Sequence, residues 1–491
     1  LMPDKPRLPW YRPRNITLAI VLLIVGLLAF VVIRALTARP GSAIDYASQL
    51  NELARTNQPG DITAPNRWDE FIAILNDYKA IEEQCDMRGT NSVGERLDFT
   101  FTYDTGTVDA SAAPIVRADA IACLEAIRAS DIYDRLDTFI VPGPAYFEAP
   151  PRTFLIMLLY PNLGDSRRLT QACIAEFHIA IDENRPDDAL RAFRHAMSLA
   201  RIASHQPLLI GYLLGNAELN LALRAAHEQA LNNALTPDLA RSLLEIVNGV
   251  SLVGPALGVG GEQTWMLDLI QRLHTDDGDG NGMFLLSEFR KMDFGTGMNT
   301  GVSTHPLVNS AGLFFPDKKT TTAKVLNFYE MLLDQAAMTP YARRNQTNLD
   351  QYVETSLGSR DILLRMVLPA IGSIIHQQDA FELQLDLTRI ILALTIYRAE
   401  HGGYPDSLEA LAPGYLAELP SDGFAPDGKY RYIKRKPTAD DPREFILYSV
   451  GADFTDDAGK FVDNRDALRY NQSPMDFVLN PPATPSEPTP D

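Results

Sequence analysis

Oxygen-bearing side chains recur at alternate positions in one acidic stretch of the sequence, DDGDGNGMFLLSE. Asp277, Asp279 and Asn281 can turn their oxygens toward a common centre while the chain wraps around it. Gly282 follows and permits a sharp bend, and Glu288 ends the stretch with a further carboxylate. Hard oxygen donors in this arrangement suit a divalent cation such as Ca²⁺. The stretch therefore predicts a calcium site.

The same residues match the pattern D-x-[DN]-x-[DN]-G-x₅-E and resemble the twelve-residue calcium loop of the EF-hand family. The resemblance implies that Met283 supplies a backbone carbonyl, that Glu288 binds with both oxygens, and that water fills the position of Leu285. Two features depart from the family. Phe284 is larger than the usual aliphatic residue, and the sequence contains no second loop nearby. A lone loop of this kind implies weak binding, with a Kd of about 10⁻⁴ to 10⁻³ M.

The sequence leaves two alternatives to a structural calcium site in this acidic loop (residues 276–288). The loop could be an Asp- and Gly-rich turn that holds no ion. It could also be a calcium-responsive sensor, although a sensor needs a calcium level that changes, and a structural staple is favoured for that reason. A weak site is filled by external calcium and left empty by cytosolic calcium, so the side of the membrane that the loop faces is decisive.

An uncharged apolar run, ITLAIVLLIVGLLAFVVI (residues 16–33), predicts a membrane anchor. A helix of this length crosses the hydrocarbon core of a bilayer. Basic residues precede the run, and the positive-inside rule keeps that end in the cytoplasm. A cleaved signal peptide and a buried core helix are the alternatives, but TARPGSA is a poor cleavage site. We expect a single-pass protein of the inner membrane of a diderm bacterium, with its bulk in the periplasm.

The charge of the chain limits the partners of the part that follows the membrane anchor, which is expected to lie in the periplasm. The segment before the anchor carries four Lys or Arg against one Asp, a charge of +3, which leaves −22 for the rest of a chain whose formal charge is −19. An acidic surface repels the phosphates of nucleic acids. The expected partners are therefore the membrane, through the N-terminal helix, and other envelope proteins, through the helical body.

The three cysteines, Cys85, Cys123 and Cys173, include no CxxC pair. Three cysteines in a chain of this length make neither a disulfide framework nor a zinc ribbon. One bridge, for example from Cys85 to Cys123, can form in an oxidising compartment and leave one thiol over. The alternative is that all three are small buried apolar residues.

The periodicity of the apolar residues predicts a mainly α fold. Ala, Leu and Ile recur at helical spacing up to about residue 249, and Asn184, Pro186 and Pro207 punctuate them, as in helical hairpins stacked into an α-solenoid. The passage resembles tetratricopeptide-type repeats in style, without their full consensus. The predicted segments are a cytoplasmic basic segment (1–14), a transmembrane anchor (15–36), a mixed α/β region (40–150), a helical-repeat-like region (151–260), an EF-hand-like helix–loop–helix (261–295), a loop (296–325), a helical region (326–376), an α+β head (377–470) and a disordered Pro-rich tail (471–491).

The α+β head is predicted from a long amphipathic helix ending in YRAEHGGYP and two alternating strands, KYRYIKR and EFILYSV. Together with LPSDGFAPDGKYRY and FILYSVGAD, these pieces resemble the globular head of the major pseudopilin of type II secretion systems. The resemblance implies a calcium ion in the loop after the last strand. Asp453, Asp456 and Asp457 occupy that stretch with a different spacing, so a second calcium site and a charged turn are both open. The membrane helix lies far upstream without a prepilin motif, so polymerisation into a pilus is not expected.

No catalytic motif is present in the sequence. The histidines do not fall into HExxH or another metal spacing, and GxSxG and Walker patterns are missing. Glu176 and His178 lie together in the helical region, and Glu218 lies on an apolar face, where burial would raise its pKa. We expect a structural or protein-interaction module linked to secretion or envelope assembly. The alternatives are an envelope hydrolase with an unrecognised site and the calcium-responsive sensor.

Overall fold

The structure, a computed structural model, describes residues 13–85, 89–90, 96–97, 113–158, 162–250, 256–276, 280–292, 305–347, 349–372, 374–438, 441–460 and 476–481. Most of the predicted basic segment and the end of the predicted tail lie outside these residues. The α-helices are α1 (Pro13–Thr37), α2 (Tyr46–Thr56), α3 (Trp68–Cys85), α4 (Ala113–Ala129), α5 (Ile132–Asp137), α6 (Leu163–Asp182), α7 (Pro186–Ser204), α8 (Leu209–Leu231), α9 (Pro237–Asn248), α10 (Ala256–Leu273), α11 (Leu286–Lys291), α12 (Lys318–Ala336), α13 (Pro340–Arg343), α14 (Leu349–Ser356), α15 (Ile362–Gly372) and α16 (Ile374–His401).

Short 3₁₀ helices and strands complete the described chain. The 3₁₀ helices are Leu155–Met157, Pro306–Phe314 and Leu408–Leu411. The strands are β1 (Gly89–Thr90), β2 (Arg96–Leu97), β3 (Arg431–Lys434), β4 (Phe445–Ser449) and β5 (Phe477–Val478). The described residues are therefore mainly helical, as predicted.

Polar side chains mark where several helices begin. Asp45, Thr236 and Asp317 each accept a hydrogen bond from the backbone N–H three residues later, at the starts of α2, α9 and α12. Such caps satisfy donors that the first turn of a helix leaves without partners. Asn184 adopts a left-handed conformation between α6 and α7, and Pro186 begins α7. The predicted punctuation at these two residues is confirmed.

Helix α1 is long and apolar enough to cross a membrane, over Thr17–Thr37. Its residues from 17 to 30 are exposed all around the helix. Val31 and Ala35 are the two less exposed positions among residues 17–37, and they lie four residues apart on one face. Within residues 17–37, the body of the protein therefore contacts mainly the C-terminal end of this helix.

The body packs around α6, α7 and α8. These three helices are joined by short turns and contact one another, as stacked hairpins do. Helix α16, much later in the sequence, packs against both α8 and α9. In a solenoid each repeat contacts its neighbours in the chain. The contacts within α6–α8 agree with that prediction, whereas those of α16 are those of a bundle.

The middle of helix α16 is buried on opposite sides. Leu385, Leu387, Leu392 and Leu394 point in different directions around the helix, and each is at most 1% exposed. One apolar core includes these residues together with the body helices and the C-terminal sheet. This sheet is antiparallel with the order β3-β4-β5. The C-terminal region is thus an α+β unit built onto the helical body.

Three predicted segments need correction. In the predicted loop at 296–325, the residues from 306 to 314 form a 3₁₀ helix and α12 begins at Lys318, because Asp317 caps that helix. In the predicted disordered tail, β5 pairs with β4, and Asn480 exchanges hydrogen bonds with the backbone of β4. The short apolar stretch FVL supplies enough burial to order this part of a Pro-rich tail. The head therefore extends beyond residue 470.

The mixed α/β region at 40–150 is mostly helical where it is described. It contains helices α2 to α5 and the two-residue ladder of β1 and β2. Of the strand-like stretch RLDFTFTYD, only Arg96 and Leu97 belong to the described residues, and they form β2. The remainder of that stretch lies outside the described residues.

Candidate functional site

The acidic loop lies close to the linker that joins α1 to the body. The N–H of Gly41 donates to the carbonyls of Gln271 (3.0 Å) and His274 (2.9 Å), at the end of α10. The side-chain amide of Gln271 is hydrogen-bonded to both the N–H (3.3 Å) and the carbonyl (2.9 Å) of Ile44. A side chain at position 41 would crowd the Gln271 carbonyl. The loop therefore begins next to the residues that bind the linker after α1.

The two arms of the acidic loop pair with each other. His274 and Phe284 form an antiparallel bridge. The N–H of Thr275 donates to the Met283 carbonyl (2.9 Å), and the Thr275 hydroxyl accepts from the Met283 N–H (2.9 Å). Asp277 and Asp279, the first two predicted calcium ligands, lie outside the described residues. What the structure describes is the stem of the loop and its C-terminal half.

Gly280 and Gly282 are favoured in the loop for different structural reasons. Gly280 adopts a left-handed conformation with φ of 82°, which favours glycine. Gly282 lies against the backbone of Thr275, and a Cβ there would come within 1.7 Å of the Thr275 carbonyl oxygen. The sequence predicted a bend at Gly282. The structure adds that glycine is needed there because two chain segments approach closely.

The N-terminus of α12 holds the loop from another side. The N–H groups of Lys318 and Lys319 donate to the carbonyls of Gly282 (3.0 Å) and Gly280 (2.8 Å). The first N–H groups of a helix have no partner within the helix, and here the loop supplies carbonyl acceptors. The acidic loop thus lies where three parts of the chain meet, namely the linker after α1, the end of α10 and the start of α12.

The described residues fit a calcium loop in part. The Met283 carbonyl, a predicted ligand, already accepts a hydrogen bond from Thr275. The Glu288 carboxylate accepts one from the Lys291 ammonium at 2.8 Å, and Asn281 is exposed. Among the described residues, no three His, Cys, Asp or Glu side chains form a group that could hold a metal ion. Two of the predicted ligands, Met283 and Glu288, thus contact other parts of the protein, and the calcium site stays a prediction.

The side chain of Phe284 packs the acidic loop against the rest of the chain. Its ring is buried and lies 5.4 Å from that of His274, 5.7 Å from that of Phe289 and 5.2 Å from that of Phe315, measured between ring centroids. Such aromatic contacts contribute apolar burial and favourable ring geometry. The large side chain that departs from the EF-hand pattern therefore anchors the loop to the body of the same chain.

The predicted second site is an acidic cluster that contains an acid missed by the sequence analysis. Asp456 accepts hydrogen bonds from Arg431 (2.9 Å) and from the Tyr448 hydroxyl (3.0 Å). Asp476 is buried and accepts from the backbone N–H of Asp457 (3.1 Å). Burial raises the pKa of Asp476, and the neighbouring carboxylates of Asp456 and Asp457 raise it further. Only recognition of β5 could have placed Asp476 here.

Asp453, the remaining predicted ligand of this cluster, has a local role. One of its carboxylate oxygens accepts a hydrogen bond from the Thr455 N–H at 3.0 Å. This is the pattern of an Asx turn, in which a short acidic side chain bonds the backbone two residues on. Asp453 and Asp456 thus both have protein partners, as expected for a charged turn.

The acids considered for catalysis are engaged in packing. Glu218 is fully buried, its carboxyl accepts a hydrogen bond from the Ser166 hydroxyl (3.0 Å), and burial raises its pKa to about 8. This confirms the predicted burial and the direction of the pKa shift. Glu176 forms a two-pronged ion pair with Arg128, and His178 is hydrogen-bonded to Gln229. These contacts join α6 to α4 and to α8.

Cys85 and Cys123 form a disulfide bond between α3 and α4, with their Cα atoms 5.6 Å apart. Cys173 is free and buried. Of the two alternatives that the sequence left open, the structure contains the bridge. Disulfides persist mainly in oxidising compartments outside the cytoplasm.

Comparison of the chain with models of protein families, with curated proteins and with solved structures finds no match.

Proposed function

We propose that this chain is a membrane-anchored structural and protein-interaction module whose body faces the periplasm. In this proposal the acidic loop stabilises the attachment of the body to its membrane anchor, and bound Ca²⁺ has a structural role in stabilising the loop. The observation that carries the proposal is the attachment of Gly41 to the carbonyls of Gln271 and His274. A loop that receives the chain as it leaves the membrane is suited to a mechanical role.

The membrane anchor and the periplasmic location each have one support. Helix α1 exposes apolar side chains on all sides, which water would oppose and lipid would accept. The Cys85–Cys123 bond suits an oxidising compartment. A phosphatase reporter that is active only in the periplasm, fused after residue 40, should be active in cells. Activity of a cytoplasm-specific reporter at the same position would contradict the orientation.

Calcium is proposed from the spacing of the acidic residues in the sequence, and the left-handed conformation of Gly280 supports a tight turn in the described part of the loop. The staple should show weak binding, with a Kd of about 10⁻⁴ to 10⁻³ M, and should raise the melting temperature at millimolar Ca²⁺. Asp277→Ala should abolish both effects. Asp334→Ala, which removes an exposed carboxylate from α12, is the matched control and should leave both unchanged.

Calorimetry and thermal melting of the full-length protein in detergent measure these quantities. If wild type and Asp277→Ala respond identically to calcium, the loop is a turn without an ion. A change in the angle between α10 and α11 on binding would instead favour the sensor.

The link to secretion or envelope assembly depends on the likeness of the C-terminal region to a pseudopilin head. The order of a long helix followed by an antiparallel sheet supports that likeness. Because α16 is buried against α8 and α9, we propose a module that binds its partners through its surface rather than one that polymerises. Co-purification from detergent-solubilised membranes should recover the same envelope partner in fixed stoichiometry, and its failure to do so would argue against an interaction role.

A further inference from the structure

The 3₁₀ helix Pro306–Phe314, here called the apolar segment, exposes three large apolar side chains. Leu307 is 42% exposed, Leu313 49% and Phe314 67%. The opposite side of the segment is held firmly, because the Asn309 side chain accepts a hydrogen bond from the backbone of Ser287 at 2.9 Å and is itself buried. Apolar side chains on a rigidly mounted segment mark a surface that something covers.

The position of the apolar segment identifies what covers it. The segment packs against α1, the helix that crosses the membrane in the proposed function. The less exposed positions of α1 between residues 17 and 37 are Val31 and Ala35, close to the end of the helix at Thr37. At about 1.5 Å per residue, Val31 lies roughly 9 Å below that end. The segment therefore meets the helix at the boundary between acyl chains and headgroups.

Basic residues lie near this contact in the sequence, beside Asp317 and the acidic loop. Arg34 and Arg39 lie at the end of α1, and Lys318 and Lys319 begin the helix that follows the apolar segment. Cations at this level attract the phosphates of lipid headgroups, and long basic side chains reach up to them from the acyl boundary. Apolar side chains flanked by basic ones are typical of segments that lie in a membrane interface.

We infer that the apolar segment is a second membrane contact, with Leu307, Leu313 and Phe314 inserted at the headgroup–acyl boundary of the outer leaflet beside α1. The lipid bilayer is favoured over a protein partner because the segment contacts α1, whose exposed apolar surface suits lipid. The inference rests on the proposed anchor. Its consequence is that the body has a fixed orientation on the membrane instead of hanging from a flexible tether.

The test places a fluorescent label at single positions of the full-length protein in vesicles of phosphatidylcholine and phosphatidylglycerol. Phe314→Cys, labelled with an environment-sensitive nitrobenzoxadiazole dye, reports on the apolar segment. Leu23→Cys reports on the middle of α1, and Ile433→Cys on a similarly exposed apolar position in β3. Labelling is selective, because Cys173 is buried and the other two cysteines are bonded to each other.

Nitroxide lipids then measure depth. We expect the label at position 314 to be quenched several-fold more than that at position 433, and more strongly by a nitroxide near the headgroup than by one near the methyl end of the acyl chain. The label at position 23 should show the opposite depth preference. Circular dichroism melting of each labelled protein verifies that it is folded.

The outcomes separate the inference from the proposal beneath it. Quenching at position 23 with none at position 314 would overturn the inference and leave the anchor intact. A blue-shifted but unquenched label at position 314 would assign the face to protein, for example a second copy of the chain, and would overturn it as well. Absence of quenching at position 23 would overturn the anchor and the inference together. Because Phe314→Cys removes an inserted ring, Leu307→Cys serves as a second reporter with the same expectation.

Discussion

At the scale of single residues, three carboxyls, one buried and two half-buried, have pKa values far above those of exposed acids. Burial raises the pKa of Glu218 to about 8, that of Glu262 to about 7 and that of Asp386 to about 6. The cause in each case is loss of water around the charged form. A folded state that keeps these protons binds more protons than the unfolded chain does, so its stability falls as the pH rises through this range.

Glu218→Gln tests this linkage. The unfolded carboxyl titrates near 4.5 and the folded one near 8, so the destabilising contribution develops between these values and is complete above them. The amide cannot ionise, and at pH 9 the variant should exceed the wild type in free energy of unfolding by about 3 to 5 kcal/mol, since one pKa unit corresponds to about 1.4 kcal/mol. Below pH 4.5 the two proteins should be nearly equal. Denaturant unfolding followed by circular dichroism measures the difference.

Glu330→Gln is the matched control, because Glu330 is an exposed carboxylate on α12. Its effect on the free energy of unfolding should be small at both pH values. An equal pH response of the two variants would mean that Glu218 ionises as readily in the folded protein as in the unfolded chain.

At the scale of elements, the acidic loop is a junction whose glycines are fixed by packing. Gly282 lacks a Cβ and so allows the Thr275 backbone to approach closely, and Gly280 adopts the left-handed conformation of the turn. Both requirements come from the contacts of the loop with α10 and α12. They hold whether or not an ion is bound, so substitutions here separate the architecture of the loop from its chemistry.

Gly282→Ala should destabilise the protein by about 2 to 3 kcal/mol, the cost of forcing a methyl group into a closed contact with backbone. Gly280→Ala should cost about 1 kcal/mol, since space is available there but the conformation is strained. Thermal melting in excess chelator isolates these effects from calcium. Gly403→Ala, with no atom within 4 Å of the added Cβ, should be neutral or slightly stabilising. Equal losses for all three variants would contradict the assignment of the close contact to Gly282.

The bond between Cys85 and Cys123 acts at the same scale, because it joins α3 to α4 across a sequence separation of 38 residues. In the chain-entropy account, closing a loop of this size stabilises the folded state by about 4 kcal/mol. The double variant Cys85→Ser, Cys123→Ser should lose stability of this order in a melting experiment. A reductant should destabilise the wild type to the same level and should not affect the variant further. A reductant-insensitive wild type would show that the bond does not form in the protein.

At the scale of the whole molecule, α1 is attached to the body at a short linker and also packs against the apolar segment. The N–H of Gly41 donates to the carbonyls of Gln271 and His274 at the end of α10. The side-chain amide of Gln271 is hydrogen-bonded to the backbone of Ile44, three residues after Gly41. The body itself has a large apolar core that does not involve this linker. Loss of the attachment at Gly41 should therefore open the linker without unfolding the body, while the apolar segment still contacts α1.

Gly41→Pro removes the N–H donor. At about 1 kcal/mol for each hydrogen bond, opening of the linker should become at least tenfold more frequent. Limited proteolysis in vesicles should show correspondingly faster cleavage between residues 38 and 45, whereas the melting temperature of the body stays unchanged. Ser42→Pro, at an exposed neighbouring position, is the control and should have a smaller effect. Equal cleavage rates for the two variants would show that the Gly41 contact does not fasten the anchor.

Features that depend on neighbouring residues were predictable from the sequence alone. An unbroken apolar run defines α1, Asn184 and Pro186 separate two helices, and the apolar surroundings of Glu218 indicate its burial. Periodicity, caps and turn residues act over a few positions, and their free energies are set locally. The presence of a tight acidic turn with an obligatory glycine was also evident from spacing.

Only the tertiary structure decided which distant residues meet. Gly41 lies beside Gln271, Asp476 joins Asp457, and the apolar segment lies on α1. None of these pairs has a local signal, because each forms only when the whole apolar core brings the two segments together and offsets the entropy of closing a long loop. The sequence by itself thus determined the elements and the composition of the acidic loop. The fold determined that this loop lies next to the linker after α1, since that placement depends on packing between helices far apart in the chain.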